Sequence, residues 1–220
     1  MSNSNNAYSR ILKAIVSSEL KPGDTIAEIQ LAEKFGFGRT PVREAVMRLE
    51  NEGFIVSSER KKKVYVLFPK DIEEIFSIKQ AIESGISKKA AEQATGTDKE
   101  ELKRIVGEMK QLSDNTNDQN GQFVQTWLDL DAQFHRLLFK MADNSRAESI
   151  VDNLNLQFRR IKVGMMVLEG RVEKAICEHS EIGEAVLSGE GETASRLMHE
   201  HLENVKQTII KLMNTFYYIP

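Results

Sequence analysis

A carboxylate and an imidazole lie four residues apart in the stretch WLDLDAQFHRLLF, residues 127–139, where Asp131 precedes His135. Residues four apart on a helix differ by about 40° in direction, so both side chains could hold one ion between them. The apolar residues around the pair recur at helical spacing and predict a helix, from about Gln122 to Met141, that packs into a core. A hydrogen-bonded pair at the margin of that core is the alternative, and this spacing by itself favours the alternative.

The other three histidines, His179, His199 and His201, lie in two later stretches of helical periodicity. His179 and His201 lie on or beside apolar lines, whereas His199 is two residues from His201 and faces about 200° away from it. Three imidazoles and one carboxylate from three helices suit a divalent transition metal with open coordination positions. Core histidines beside a salt-bridged margin remain the alternative. Cys177 faces away from His179, so we do not expect it to be a ligand.

The composition is that of a soluble chain with one large or two smaller domains. It has 220 residues, of which 40% are hydrophobic and 29% charged, and no apolar run reaches the roughly 20 residues of a membrane span. The polar N-terminus does not resemble a signal peptide. A single cysteine excludes an internal disulfide and a cysteine-rich zinc module, so we expect a cytoplasmic protein.

Residues 1–69 predict a winged helix-turn-helix domain. Two short amphipathic helices come first, and the apolar set of the second begins at Ile26 and ends at Phe35. In the stretch TPVREAVMRLENEG that follows, Thr40 suits an N-cap and Pro41 the first helical position. The β-rich runs FIVSS and KVYVLF flank ERKK and predict a hairpin, which Pro69 closes at a domain boundary. These residues carry 11 Lys and Arg against 8 Asp and Glu, and such a basic module is typical of nucleic-acid binding.

Residues 70–220 predict an all-α antiparallel bundle of about six helices with short connections. We find no convincing strand in this half, which carries 19 Lys and Arg against 25 Asp and Glu. The predicted fold is therefore mainly α, with the winged helix-turn-helix in front of the bundle. The pair at Asp131 and His135 and the three later histidines all fall within the bundle.

The start of the predicted recognition helix carries the residues that DNA contact requires. Arg39, Thr40 and Arg43 crowd its first turns and Arg48 extends its basic side. Arginine can bind guanine through a bidentate pair of hydrogen bonds, whereas phosphate contacts mainly position the helix. A solvated helix edge is the alternative, which the coincidence of turn, proline and basic hairpin tip makes the weaker one.

The stretch LAEKFGFGRTPVREAVMRLENEGFI closely resembles the DNA-binding signature of the GntR superfamily of bacterial transcription regulators. The resemblance covers about residues 8–68 and implies DNA contacts by Arg39, Thr40, Arg43 and Arg48, with the wing in the adjacent minor groove. Two departures stand out, since Gly38 replaces a usual hydroxyl residue and the wing lacks its usual glycine. We expect the wing lysines to compensate through phosphate attraction, which makes binding salt-sensitive; these are Lys61, Lys62 and Lys63.

The helical half resembles the FCD ligand-binding domain of FadR-type GntR regulators, in its Asp-x-x-x-His, Glu-His and His-Leu motifs. The resemblance implies a metal site, for which we predict zinc, with nickel and manganese as alternatives. Its ligands would be Asp131, His135, His179 and His201. It also implies that open metal positions take a small carboxylate metabolite, whose second contact could come from Arg136, Asn153, Arg159 or Arg160. The family usually has an arginine where this chain has Lys79, four residues before Glu83.

These observations predict a DNA-binding transcription regulator, a repressor, that responds to a small carboxylate. A homodimer would read the two half-sites of a palindromic operator. The protein is then not an enzyme and has no membrane partner. A metal-dependent hydrolytic enzyme is the alternative, because such a site can activate water, although no convincing general base stands near the motif. A third reading is a purely structural bundle.

Overall fold

The computed structural model describes residues 3–58, 61–114, 122–166 and 170–216, and those ranges contain nine helices and three strands. The chain divides into two compact units, one of residues 1–68 with 153–160 and one of residues 69–152 with 161–220. The predicted fold class, a winged helix-turn-helix ahead of a helical bundle, is confirmed. The assignment of separate roles to residues 1–69 and 70–220 stays a prediction. No helix in the described ranges is long and apolar enough to cross a membrane.

The first unit contains three helices and a small antiparallel sheet. They are α1 (Asn3–Val16), β1 (Thr25–Ile26), α2 (Glu28–Phe35), α3 (Arg39–Asn51), β2 (Ile55–Ser58) and β3 (Lys61–Val64). The strand order is β1-β3-β2, with Ser58 opposite Lys61 at the tip of the hairpin. The buried face of α3 consists of Val42, Ala45, Val46 and Leu49, at the spacing that the sequence predicts. This packing fixes the opposite face of α3 toward solvent.

Three local predictions in this unit are wrong. Ile26 lies in β1 and not in the helix that follows, because its backbone pairs with Lys62. The N-cap of α3 is Gly38 and not Thr40, so Pro41 is the third helical residue, where its missing N–H still costs no helical hydrogen bond. Pro69 does not close the wing but begins the next helix, since β3 already ends at Val64.

The remaining described helices number six, as the sequence predicts, and all of their residues belong to the second unit except residues 153–160 of α7. They are α4 (Pro69–Gln93), α5 (Gly96–Asp114), α6 (Gln122–Met141), α7 (Ser145–Met166), α8 (Arg171–Ser188) and α9 (Gly191–Phe216). Helix α4 packs along α9, and α8 packs against α9, α4 and α5. Gly183 permits the close approach of α8 to α5, because a Cβ atom there would lie 3.0 Å from Val106 Cγ2. Trp127 and Phe134 of α6 lie fully buried in the core.

Candidate functional site

The second unit brings together the four side chains that the sequence predicts as metal ligands. Asp131 and His135 lie one turn apart on α6, while His179 lies on α8 and His201 on α9. One ring nitrogen from each histidine lies within 4.8 Å of the other two. The Oδ1 atom of Asp131 lies 3.6 Å from Nε2 of His179. Their role as ligands stays a prediction, but their proximity is a property of the fold.

Each of the three histidines has its Nδ1 atom held by a protein oxygen. The oxygens are Glu83 Oε2 at 2.8 Å from His135, the Ala175 carbonyl at 2.7 Å from His179, and Glu178 Oε2 at 2.7 Å from His201. A neutral imidazole that donates through Nδ1 keeps its lone pair on Nε2. The same tautomer is therefore favoured on all three rings, and it leaves Nε2 to bind a metal.

The spacing of His179 and Asp131 fits an ion better than a hydrogen bond. Nε2 of His179 is buried and has no hydrogen-bond partner in the described part of the chain. Its separation of 3.6 Å from Asp131 Oδ1 is too long for a hydrogen bond. Two ligand atoms at about 2.1 Å from a tetrahedral zinc ion lie about 3.4 Å apart. The separation of this imidazole and this carboxylate therefore fits two ligands of one divalent transition metal.

Burial keeps the imidazoles neutral, which metal binding requires. Burial lowers the pKa of His179 well below its usual value, and the neighbouring His201 lowers it further. Burial likewise lowers the pKa of His201, against the effect of its hydrogen bond to Glu178. Only the unprotonated ring offers a lone pair to a metal, so both histidines carry the required form at neutral pH.

The histidine rings are also part of the packed core. The His179 ring lies edge-on to Phe134 and Trp127, with centroid separations of 4.7 Å and 5.3 Å. It also lies edge-on to His201, with centroids 4.6 Å apart. Edge-to-face packing of this kind fixes ring orientation as well as burying apolar area. Packing of the core therefore contributes to the positions of these rings.

Lys162 of α7 is a neighbour of the site that the sequence analysis missed. Its Nζ atom lies 2.5 Å from Oδ2 of Asp131, which leaves Oδ1 directed toward His179. Burial by itself raises the pKa of Asp131, but Lys162 and then the histidines lower it by more, and the pKa lies well below its usual range. Asp131 is thus an ionised carboxylate with one oxygen occupied by Lys162 and one available to an ion.

A buried ion pair on α4 supports His135. Lys79 Nζ lies 2.6 Å from Glu83 Oε1, and both side chains are almost fully buried. The other oxygen of Glu83 contacts His135. Burial raises the pKa of Glu83, but Lys79 and His135 together lower it well below its usual range. Lys79, which departs from the arginine usual in the resembling family, therefore keeps ionised the carboxylate that orients a predicted ligand.

The structure describes three of the four predicted effector-binding side chains, and the two arginines among them are exposed. Arg136 is exposed on α6, about 100° around the helix from His135. Arg159 is exposed, Asn153 accepts a hydrogen bond from Gln157, and the side chain of Arg160 lies outside the described residues. Their role in effector binding stays a prediction.

The predicted DNA-contact residues of α3 are all exposed, but they differ in whether neighbouring side chains hold them. Arg39, Thr40 and Arg43 are exposed in the first turns of α3, whose N-cap Gly38 supplies no capping side chain. Arg48 is also exposed, but its Nε donates to Glu52 at 2.9 Å. Its guanidinium also stacks over the Tyr8 ring at 3.8 Å. The exposed side chains and the backbone N–H groups at the start of α3 therefore suit a phosphate better than the guanidinium of Arg48 does.

The wing lysines also differ from one another. Lys61 is exposed at the start of β3, whereas Lys62 is half-buried and its Nζ lies 2.5 Å from Glu50 Oε2 of α3. Lys63 is half-buried and pairs through its backbone with Thr25. The hairpin tip at residues 59 and 60 lies outside the described residues. Lys61 is thus the most accessible of the three predicted wing cations.

Comparison with known proteins decides the family. Residues 3–66 match the gntR family of bacterial regulatory proteins, and residues 74–204 match the FCD domain. The chain belongs to the GntR family of regulators with an FCD domain. The prediction of a transcription regulator that binds DNA, and not an enzyme, is thereby confirmed, and the FCD domain is an effector-binding domain.

Relatives cover nearly the whole of this GntR-family chain. The transcriptional repressor RspR of Escherichia coli is 27% identical over 209 residues, which span 92% of this chain and 86% of RspR. The Uxu operon regulator of Haemophilus influenzae is 30% identical over 232 residues, with 94% and 84% covered. The solved structure of E. coli McbR/YncC covers 97% of this chain and 100% of its own, with a TM-score of 0.74 and 18% identity. That last similarity shows the fold alone.

Proposed function

We propose that this GntR-family regulator is a repressor whose FCD domain binds a divalent metal and, at the open positions of that metal, a small carboxylate metabolite. Asp131, His135, His179 and His201 would hold the metal, with zinc the first choice and nickel and manganese the alternatives. A bound zinc ion supplies positive charge and open coordination positions for carboxylate oxygens. The observation that carries the proposal is the protein oxygen within 2.8 Å of each Nδ1 atom, which favours on all three rings the tautomer that leaves Nε2 to bind a metal.

The DNA-binding half of the proposal rests on α3 and the wing. GntR-family regulators bind operator DNA and typically dimerise. A homodimer would place the exposed Arg39, Thr40 and Arg43 of each copy in one half-site of a palindromic operator. Lys61 of the wing would add phosphate attraction, which carries affinity but little sequence information. The name of RspR as a repressor supports repression as the mode of control, and action on operator DNA supports a cytoplasmic location.

The metabolite and the operator must affect each other reciprocally. A ligand that changes operator affinity by some factor must itself bind with an affinity changed by the same factor when DNA is present. Such couplings are typically about 1–3 kcal/mol, which corresponds to about 5- to 150-fold in affinity. A carboxylate that binds the FCD domain but leaves operator affinity unchanged would contradict the sensor role.

Metal content of matched variants tests the site. We expect purified wild-type protein to retain about one zinc ion per chain, while Asp131→Asn and His179→Gln lose zinc or bind it at least about tenfold more weakly. His199→Gln is the control, because His199 is exposed on α9 two residues from His201. Elemental analysis and competition with a zinc-binding dye give the measurement. Wild-type metal content in both site variants would refute the ligand assignment.

A further inference from the structure

Arg171 is a buried cation whose hydrogen-bonding capacity is largely unused. It is the first residue of α8, and its side chain is 5% exposed. Its Nε and Nη1 atoms are buried and have no hydrogen-bond partner within the described ranges. Its remaining nitrogen, Nη2, lies 3.7 Å from Glu178 Oε2, a distance longer than a hydrogen bond. A buried donor without an acceptor is costly, so this arrangement needs an explanation.

The acid nearest to Arg171 is already occupied by other groups. Glu178 Oε2 contacts His201 Nδ1 at 2.7 Å, and Glu178 Oε1 accepts a hydrogen bond from Asn204 Nδ2 at 2.9 Å. Burial lowers the pKa of Arg171, whereas Glu178 and then Asp131 raise it, so Asp131 is within electrostatic range. The guanidinium therefore lies beside the histidine cluster, with Glu178 between them. Its unused donors are not needed to hold Glu178 in place.

A second unused donor borders the same cluster. Nε1 of Trp127 is buried and has no hydrogen-bond partner in the described part of the chain, although the Trp127 ring contacts that of His179. An indole nitrogen can only donate a hydrogen bond, and so can every nitrogen of an arginine. Unused donors around a site call for an acceptor-rich ligand, and a carboxylate is one.

The charges beside the histidines, among the described residues, occur in pairs of opposite sign. Three acids and three bases contact one another around the histidines, in the pairs Glu83 with Lys79, Asp131 with Lys162, and Glu178 with Arg171. With neutral imidazoles their formal charges cancel. A divalent cation adds two positive charges in a region where unpaired charge is costly. A ligand with two negative charges would restore the balance, whereas a single carboxylate would leave one positive charge in excess.

We propose that Arg171 binds a second carboxylate of the effector, which is therefore a dicarboxylate or an equivalent dianion. One carboxylate occupies the open metal positions and the other accepts hydrogen bonds from the Arg171 guanidinium. This inference rests on the proposed function, because it requires a metal beside Asp131 and a carboxylate effector. The inference goes beyond the proposed function because it names Arg171 as the residue that favours an effector with two acidic groups over one with a single acidic group.

Zinc-loaded full-length protein provides the test, with acetate, malonate, succinate and glutarate as probes in isothermal titration calorimetry. We expect at least one dicarboxylate to bind about 10- to 100-fold more tightly than acetate, as charged hydrogen bonds of about 1.5–3 kcal/mol imply. Arg171→Met should reduce that dicarboxylate to the affinity of acetate, and Arg171→Lys should recover only part of the difference. Zinc content should stay at the wild-type value in both variants.

Lys174→Met is the matched control. Lys174 lies on the same helix, 3.9 Å from Glu178 Oε1, but its side chain is 58% exposed. Its removal tests whether any cation beside Glu178 produces the effect, and we expect dicarboxylate affinity to stay within about twofold of wild type. An equal loss in Lys174→Met and Arg171→Met would overturn the inference.

The remaining outcomes separate this inference from the proposed function. If dicarboxylates bind no more tightly than acetate while acetate binding still depends on zinc, the role of Arg171 is wrong and the proposed function stands. If Arg171→Met retains the dicarboxylate preference, the guanidinium serves only to neutralise Glu178. If Arg171→Met loses zinc or does not fold, Arg171→Lys decides, because unchanged dicarboxylate affinity in that variant also overturns the inference. Failure of the wild type to bind zinc, nickel or manganese would overturn both the proposed metal site and this inference.

Discussion

Removal of the Lys79 charge should destabilise the FCD domain strongly, although Lys79 is not itself a predicted metal ligand. Lys79 Nζ lies 2.6 Å from Glu83 Oε1, where two unit charges attract by about 6 kcal/mol at an effective dielectric constant of about 20. Both side chains are at most 5% exposed, so Lys79→Met leaves a buried carboxylate whose remaining contact is the His135 ring. Removing one partner of a buried pair costs about 3–5 kcal/mol, a large share of a total stability of about 5–15 kcal/mol.

The double variant Lys79→Met/Glu83→Gln should recover most of that loss. Glutamine keeps a carbonyl oxygen that can accept the hydrogen bond from His135 Nδ1, and it carries no charge that needs a partner. We expect the double variant to lie within about 1–2 kcal/mol of wild type, because replacing both partners of a buried pair is often nearly neutral. The two substitutions would then be coupled by at least about 2 kcal/mol in a double-mutant cycle.

Urea unfolding in the presence of a chelator measures these free energies. Trp127 is the only tryptophan of the chain and is fully buried in the bundle, so its fluorescence reports on the FCD domain alone. Arg196→Met is the control, since Arg196 and Glu200 form an ion pair of the same helical spacing at 2.8 Å with both side chains exposed. We expect it to cost less than about 0.5 kcal/mol. Additive losses in the Lys79 and Glu83 variants, or equal losses in Lys79→Met and Arg196→Met, would refute the reasoning.

Three further predictions concern the DNA-binding unit and the packing of α8. Arg43→Ala should weaken operator binding by about 1–3 kcal/mol in a gel-shift assay. Arg48→Ala should weaken operator binding less and should mainly lower the melting temperature, because other side chains of its own unit hold its guanidinium. Equal losses of affinity would contradict this difference. Lys61→Ala should reduce the slope of log affinity against log salt concentration by about one unit, and Lys62→Ala, which removes an ion-paired lysine, should reduce it by less. A larger change for Lys62→Ala would contradict the greater accessibility of Lys61. Gly183→Ala should cost about 1–3 kcal/mol in Trp127 fluorescence unfolding, because its Cβ would lie 3.0 Å from a valine methyl, and an unchanged midpoint would refute that contact.

The helices could be predicted from the sequence because each buries one face. The predicted limits of α6, from about residue 122 to 141, are those of the structure, since an apolar stripe at helical spacing continues between two polar breaks. Strand β1 could not be predicted. It is two residues long, and Ile26 also fits the helical spacing of the residues after it. Its backbone pairing with Lys62 depends on a hairpin more than 30 residues later, which local periodicity does not report.

The candidate site could be predicted only in part for the same reason. Spacing within α6 places Asp131 and His135 on one edge, and the resemblance to the FCD domain supplied His179 and His201. Glu83 and Lys162, which contact His135 and Asp131, lie on two other helices, α4 and α7, and no spacing within one helix shows which helices meet. One signal was available in α4, where a lysine and a glutamate four residues apart interrupt an otherwise apolar face. A charged pair on a buried face indicates that a partner for it exists elsewhere in the core.

The double role of the histidine rings determines which substitution isolates metal binding. His179→Ala would remove a ring that packs against Trp127 and Phe134, and truncation of a buried aromatic side chain to alanine costs about 3–5 kcal/mol through the cavity alone. Loss of metal in that variant would not distinguish a missing ligand from a loosened core. Asp131→Asn keeps the volume of the side chain and an oxygen for Lys162, while it removes the negative charge that an ion requires. Because the metal-free bundle already pairs its buried charges, a metal would stabilise it only by mass action, by about 4 kcal/mol at a thousandfold excess over Kd. Lys162 is 21% exposed, unlike Lys79, so its charge can stay in contact with water when the carboxylate is removed. Asp131→Asn therefore separates metal binding from folding better than His179→Ala does, since it should abolish the stabilisation by metal while largely preserving the packing of the bundle.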